Sequence, residues 1–348
     1  MAVFIGHKTA LAFWRSGRLP QEFMPSRAGI EGKVPSREEI QHAQRQIGVQ
    51  QTRVLGGLPL LEERLDILVG DPAARRNSSA AKCHVWRDPV LGKSFVKIAD
   101  GCYMSTPEAC FLQLAKRLDY VDLLMAGMEL CGTFGIDPRE PGGFVSRKWG
   151  CTPSNQESLL RYAQKAKRAH GRAKALKAAG RLANGSASPK EAQLYLLLCL
   201  PRCEGGYGLG KPLLNKRVRV VGGEAVVVGE KSGLGLVETR RPDLYWHDGK
   251  IALEYESDDW HAGAADLSRD SKRRGDLEFA NVHVMTVTKK QLYRSDLLDK
   301  VARVVARRTG KRVPAWSPDW GRLNADLRSR LFADDRRAGA SIYPEMGT

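Results

Sequence analysis

Residues 241–257 read RPDLYWHDGKIALEYES, and the natural reading is two strands joined at Asp248–Gly249. Asp-Gly is a favoured two-residue hairpin loop, because both central positions of a type I′ turn need positive φ. With that loop His247 pairs with Lys250, and paired residue numbers sum to 497. Asp243 then lies across from Glu254, Cβ atoms about 4.5–5.5 Å apart, and Glu256, two residues on, shares their face. The opposite face takes Leu244, Trp246, Ile251, Leu253 and Tyr255, a hydrophobic underside. Acidic residues are poor strand formers, and like charges across a sheet repel. A cluster of three therefore requires positive charge nearby. A divalent metal held by hard oxygen ligands supplies it; salt bridges to arginines such as Arg240, Arg241 or Arg273 are the other solution. A slip of one residue in register would send the acids to opposite faces.

The same logic extends outward. SPKEAQLYLLLCL (188–200) opens with Ser188 as N-cap and Pro189 at the first helical position, and Leu194, Leu197 and Leu198 give the helix an apolar face. GGYGLGKPLLN (205–215) is loop-like. Strands are predicted within residues 216–229 and 236–257, a helix over Ala264–Ala280, a β-branched strand at Val282–Thr288 and an amphipathic helix over Gln291–Arg308. Helix, strands, helix, strand, helix is the order of an α/β sandwich around one central sheet. Residues 311–348 read as a partly irregular C-terminal extension.

Upstream, residues 1–150 read as a mixed α/β unit. Helical patterns occur at Lys8–Trp14, Arg37–Gln46, Pro107–Leu118 and Val121–Glu129, and strand-like pieces at Cys83–Trp86 and Ser94–Ile98. Gly132, Gly135 and Pro138–Gly143 punctuate its end. Residues 151–185 read as a basic helical linker, helical over Thr152–Arg181, with Ser154 and Glu157 as a capping box. Arg161–Arg181 holds eight Lys/Arg, one His and no acid, interleaved with alanine. Solvated helix faces usually mix both signs; a run without any acid suits a phosphate backbone. Lys165, Lys167, Arg168, Arg172, Lys174 and Lys177 are its candidate nucleic-acid contacts.

Composition supports that partner. The 348 residues are 42% hydrophobic and 27% charged, and carry 56 Lys+Arg against 39 Asp+Glu, a formal net charge of +17. Such an excess favours nucleic acid or an anionic surface. No run approaches the ~20 apolar residues that span a bilayer, and the N-terminus is a poor signal peptide, so a cytoplasmic location is the default. Seven scattered cysteines without a CxxC pair read as buried free thiols rather than a zinc site.

Pro242–Asp243 followed by Glu254–Tyr255–Glu256 resembles the PD-(D/E)xK nuclease core, and within it the Vsr-like, domain-of-unknown-function-559 branch. EYESDDWH (254–261), Asp270–Arg273 as a D-x-x-R helix motif, and SPKE at the entry helix carry the likeness, which covers roughly residues 186–308. It implies a restriction-endonuclease-like αβ sandwich over 186–310 and a metal-dependent endonuclease, on double-stranded DNA, in defence or repair. It also implies Mg²⁺ or Mn²⁺ on Asp243 and Glu254, with Glu191 as a further ligand. Glu256 would orient water or bind a second ion, His261 would exchange protons, and Arg269, Lys272 and Arg273 would contact phosphates; Arg269 and Arg273 could instead pair with Asp266 and Asp270. Glu256 stands where the family usually has lysine, and Ser257 where Gly is more usual. VFIGHKTALAFWR, FVKIADGCYMSTPEACFLQLA and MELCG are similar to AbiEi-type antitoxin regulators, which implies a winged-helix part. The alternative function is a non-catalytic DNA-binding regulator that keeps the nuclease fold as scaffold; an RNA-directed or protein-partner module shares the charge but needs no metal.

Overall fold

The computed structural model describes residues 2–26, 28–30, 35–55, 64–75, 77–87, 91, 93–148, 150–221, 224–229, 239–256, 277–278 and 280–333. The chain is of mixed α/β class and divides into two units, Met1–Asn184 and Gly185–Thr348.

The first unit is organised by a six-stranded sheet. Its strands are β1 (Val3–Ile5), β2 (Met24–Ser26), β3 (Leu65–Val69), β4 (Ala81–Val85), β5 (Phe95–Ala99) and β6 (Cys102–Ser105), in the order β2-β5-β6-β1-β3-β4. β1 pairs parallel with β6 and antiparallel with β3, and β3 runs parallel to β4. All five residues of β3 are buried, as expected for a central strand covered on both faces. Helix α1 (His7–Arg15) lays Ala10, Leu11, Phe13 and Trp14 into the core, where Trp14 donates its indole N–H to the Ser105 carbonyl at 2.9 Å. Phe4 packs between Phe95 and Tyr103, ring centroids 4.9 and 5.0 Å away. Buried apolar residues run through the central strands of this sheet and make it the unit's core. The unit is completed by α2 (Arg37–Leu55), α3 (Pro107–Ala115), α4 (Tyr120–Leu130), and β7 (Phe134–Ile136) paired with β8 (Phe144–Ser146).

The glycine-rich stretch at 132–143 is therefore a hairpin connection inside this unit, not its end. Residues 151–185 are not a linker either. They form α5 (Gln156–Lys165) and α6 (Arg172–Ala179), broken between Ala166 and Gly171. Leu159, Ala163, Ala175, Ala178, Ala179 and Leu182 are buried: alanine supplies the contact face that its small size hid in the sequence. Asn155, not Ser154, caps α5 by accepting from the Ser158 amide, while Ser154 Oγ donates to Glu108 Oε1 at 2.6 Å.

The second unit opens with α7 (Pro189–Cys199), capped by Ser188, whose Oγ accepts from the Glu191 amide. Every residue from Glu191 to Leu198 is buried, so α7 is enclosed on all sides rather than amphipathic. Four strands, β9 (Leu213–Leu214), β12 (Leu244–Trp246), β13 (Ile251–Glu256) and β14 (His283–Thr288), form a sheet in the order β14-β13-β12-β9. β12 is antiparallel to β9 and β13, and β13 is parallel to β14. β10 (Arg217–Val221) and β11 (Glu224–Val228) form a separate ribbon, tied back by a bridge between Val218 and Arg240, where one central sheet was expected. The helix expected over Ala264–Ala280 falls mostly outside the described residues. After β14 come α8 (Lys289–Tyr293), α9 (Ser295–Arg308) and α10 (Pro318–Leu331); Arg294 interrupts the single helix expected over Gln291–Arg308.

The described part of the C-terminal extension, through α10, belongs to this core. From α10, Trp320 donates to the Gly206 carbonyl at 3.1 Å, Asn324 to Gly205 at 2.7 Å and Arg328 to Leu292 at 3.0 Å. Gln193 of α7 donates in return to the Leu331 carbonyl at 2.8 Å. No described helix is long and apolar enough to cross a membrane.

Candidate functional site

The β12–β13 hairpin has the register the sequence predicts: Leu244 faces Leu253, Tyr245 faces Ala252 and Trp246 faces Ile251. Its turn differs. The backbone reverses through His247–Lys250, Lys250 N–H bonding the His247 carbonyl at 3.1 Å, and positive φ falls on Lys250 (44°) rather than on Asp248 or Gly249. This is a four-residue loop, not a two-residue type I′ turn. Gly249 is needed for space: a Cβ there would lie 2.7 Å from Thr309 Cγ2 and 3.1 Å from the Arg308 backbone.

Both faces of the hairpin are apolar. Tyr245 and Ala252, on the carboxylate side, pack with Val218, Leu277, Ala280 and Val282. The acids sit at the sheet's end instead, Asp243 just before β12 and Glu254 and Glu256 at the close of β13, where β14 ends in parallel. The carboxyl ends of parallel strands are where open α/β sheets bind ligands. Asp243 is half-buried, and its Oδ2 accepts from the Tyr255 amide at 2.6 Å. Glu254 is half-buried, in register with Thr286; Glu256 is exposed, in register with Thr288.

Glu191, one turn into α7, is buried. Its Oε2 accepts from the Ala187 amide at 2.8 Å and Asn215 Nδ2 at 2.6 Å, and its Oε1 from Ser188 Oγ at 3.0 Å. Burial nevertheless pushes its carboxyl up, against those three bonds. Burial pushes the Asp243 carboxyl well above the usual carboxylate range, and the charges of Glu191 and Glu254 push it further, with only the Tyr255 amide opposing. Asp243 makes no ion pair among the described residues, and Arg241 is directed to the Asn215 carbonyl at 3.1 Å. Hard oxygen donors in a desolvated setting suit a divalent cation. Among the described residues no three His, Cys, Asp or Glu side chains are gathered tightly enough to hold a metal ion as they stand.

Asn215 is the residue the sequence did not single out. Its backbone N–H reaches the Pro242 carbonyl at 3.0 Å, its side chain reaches Glu191 and the Gly185 carbonyl, and its φ is 50°. It ties the loop before Asp243 to the carboxylate of Glu191. Its sole signal was Asn at the end of a glycine-rich loop, since Asn tolerates the left-handed region. His261, Arg269, Lys272 and Arg273 lie outside the described residues.

The basic candidates belong to the first unit and divide by use. Lys165, Lys167, Arg168 and Lys177 are exposed, Lys177 with Nζ 4.4 Å from the Tyr120 ring centroid. Arg172 and Lys174 are half-buried and engaged, donating to the Ala163 carbonyl at 3.1 Å and the Leu118 carbonyl at 2.7 Å. Those two hold the helices together. All seven cysteines are free thiols, four of them buried.

A second polar cluster, unforeseen from sequence, is buried in the first unit. His84 Nε2 lies 2.6 Å from Asp66 Oδ1, and the His7 and His84 rings lie against each other, centroids 4.0 Å apart and planes tilted by 31°. Asp66 Oδ2 accepts from Thr9 Oγ1 at 3.4 Å and the Thr9 amide at 3.3 Å. Arg117 Nη2 approaches His84 Nδ1 at 3.5 Å. His7 Nδ1 makes no hydrogen bond among the described residues, and burial, aided by His84, lowers its pKa to about 3. No protein-family model, curated protein or solved structure matches the chain.

Proposed function

We propose that the chain is a metal-dependent endonuclease that hydrolyses phosphodiester bonds of DNA, with its chemistry at the end of the β12–β13 hairpin. The observation that carries this reading is the placement of Asp243, just before β12, beside Glu254 at the carboxyl end of β13, with Asp243 Oδ2 held by the Tyr255 amide at 2.6 Å. Asp243, Glu254 and Glu191 would hold Mg²⁺ or Mn²⁺. When bound, the ion lowers the pKa of a coordinated water and offsets charge on the phosphate. Asn215 holds Glu191 in place, and the Tyr255 amide fixes Asp243 through Oδ2. The order helix, antiparallel strands, crossover, parallel strand supports a restriction-endonuclease-like core of the PD-(D/E)xK type, and the excess of basic residues supports a nucleic-acid partner.

A second reading, a DNA-binding regulator that keeps this core as a scaffold, is favoured by one observation: the exposed Glu256 occupies the position where the resembled family usually has lysine. Incubation with plasmid, single-stranded DNA and RNA in Mg²⁺, Mn²⁺ or EDTA separates the two. The endonuclease cuts with metal, and Asp243→Asn and Glu254→Gln abolish cutting. Absence of cutting on every substrate, or equal cutting by both variants, overturns the proposal. A sequence-specific gel shift that survives EDTA, without cleavage, supports the regulator.

A further inference from the structure

The turn between α5 and α6 roofs a hollow of about 260 Å³ in the first unit. Trp86, Leu91, Leu112, Tyr162, Ala166 and Ala169 line it. Tyr162 is fixed there, its hydroxyl 2.7 Å from Ser94 Oγ, which donates to the Leu91 carbonyl at 2.7 Å. Lys165, Lys167 and Arg168 form the rim and are exposed. Their side chains make no ion pair or hydrogen bond among the described residues, unlike those of Arg172 and Lys174 further along. The hollow is thus walled by two aromatic rings, two leucines and two alanines and edged by uncommitted positive charge.

Each property restricts the occupant. Drug-sized ligands fill clefts of about 300–1,000 Å³, so this space suits one flat ring system and little more. Trp86 and Tyr162 in an otherwise aliphatic wall favour a flat apolar π-face, and three free cations beside it favour an anion attached to that ring. Single-stranded nucleic acid is bound through this pairing of aromatic side chains under bases and cations along the backbone. We propose that the hollow receives one unpaired nucleobase of a single-stranded segment, whose flanking phosphates lie on Lys165, Lys167 and Arg168. This deepens the nucleic-acid reading above and rests on it; a fully paired duplex would engage the cations but not the hollow.

The test uses the full-length chain in EDTA, so that cleavage plays no part, with fluorescein-labelled single-stranded and fully paired DNA of equal length. Three measurements are made by anisotropy. Ala169→Phe, which fills the hollow, is expected to weaken single-strand binding about fivefold or more and to leave duplex binding within about twofold, as loss of one stacked base requires. Replacing Lys165, Lys167 and Arg168 together by Gln should weaken both and flatten the dependence on salt. In the unaltered protein, abasic substitution at successive positions of an oligonucleotide fixed in register by one hairpin end should reveal one position with a similar loss. That third measurement stands even if Ala169→Phe fails to fold. Uniform affinity along the abasic series, or unchanged single-strand binding by a folded Ala169→Phe protein, overturns the base site while leaving the nucleic-acid reading intact. Failure of the parent to bind any nucleic acid overturns both, and selective capture of an acidic, aromatic-containing peptide would assign the hollow to a protein partner instead.

Discussion

Acidification should unfold the first unit through His7. The imidazole is buried against His84, and burial draws its pKa from 6.5 to about 3; His84, Arg117 and Lys116 act in the same direction and Asp66 against it. Folded, the ring stays neutral, whereas the unfolded chain takes up a proton below pH 6.5. Stability is therefore full above pH 6.5 and declines as the pH falls toward 3. The slope from this one group is about 1.4 kcal/mol per pH unit. Across the roughly three and a half units of the window it amounts to about 5 kcal/mol, comparable with the whole stability of a domain at about 5–15 kcal/mol. Asp66, whose carboxyl is held below its ordinary range chiefly by His84 against the opposing effect of burial, loses stability in the same direction as it protonates. The variant to compare is His7→Asn, because residue 7 has a φ of 50° and asparagine tolerates that region. Urea melts at pH 7, 6, 5 and 4, with hydrogen exchange of β3 amides to assign the transition to this unit, give the slope for each protein. His7→Asn will be less stable at pH 7 from lost packing, but its decline with pH should be shallower by about 1.4 kcal/mol per unit. Equal slopes between pH 6 and 4 would refute the argument.

The carboxylate cluster predicts the opposite trend in the second unit. Asp243 has a raised folded pKa, so without metal its unit loses stability as pH rises above the ordinary carboxylate value, and divalent metal should restore it; melting curves at pH 5 and 8 with EDTA or Mn²⁺ test this. Asp243→Asn should remove the metal's stabilising effect, worth about 2.7 kcal/mol at a hundredfold excess over Kd, while melting no lower than the parent in EDTA. Asn215→Ala deprives a buried carboxylate of its 2.6 Å donor and should cost about 1–3 kcal/mol by denaturant titration, with weaker metal binding by calorimetry. Gly249→Ala should cost about 1–3 kcal/mol, and adding Thr309→Ser should restore only part, because the Arg308 backbone remains 3.1 Å from the new methyl.

Local rules made some of this legible. Asp-Gly and the parity of Asp243 and Glu254 set the register, which survived even though the turn is of another type, because a four-residue loop between Trp246 and Ile251 leaves the same pairs facing. Alternation misassigns the faces, since it cannot distinguish a half-exposed strand from one covered on both sides: Tyr245 and Ala252 look neutral in sequence and are core in space. The basic run looked like a free helix because alanine is counted as helix propensity, whereas Ala163, Ala175, Ala178 and Ala179 are a packing surface. His7, Asp66 and His84 come from three separate elements, and no spacing rule joins residues that only the sheet order β1-β3-β4 brings together.

α10 carries a consequence for where this protein can be cut. Trp320, Asn324 and Arg328 reach back to carbonyls at residues 206, 205 and 292, so a chain ending at residue 310 would leave three buried acceptors bare and one side of α7 uncovered. The stretch that carries the nuclease-like motifs is therefore not a portable module: a fusion, a fragment library or a gene rearrangement that keeps residues 186–310 and drops α10 should yield insoluble material. Any unit that can be transplanted must include α10.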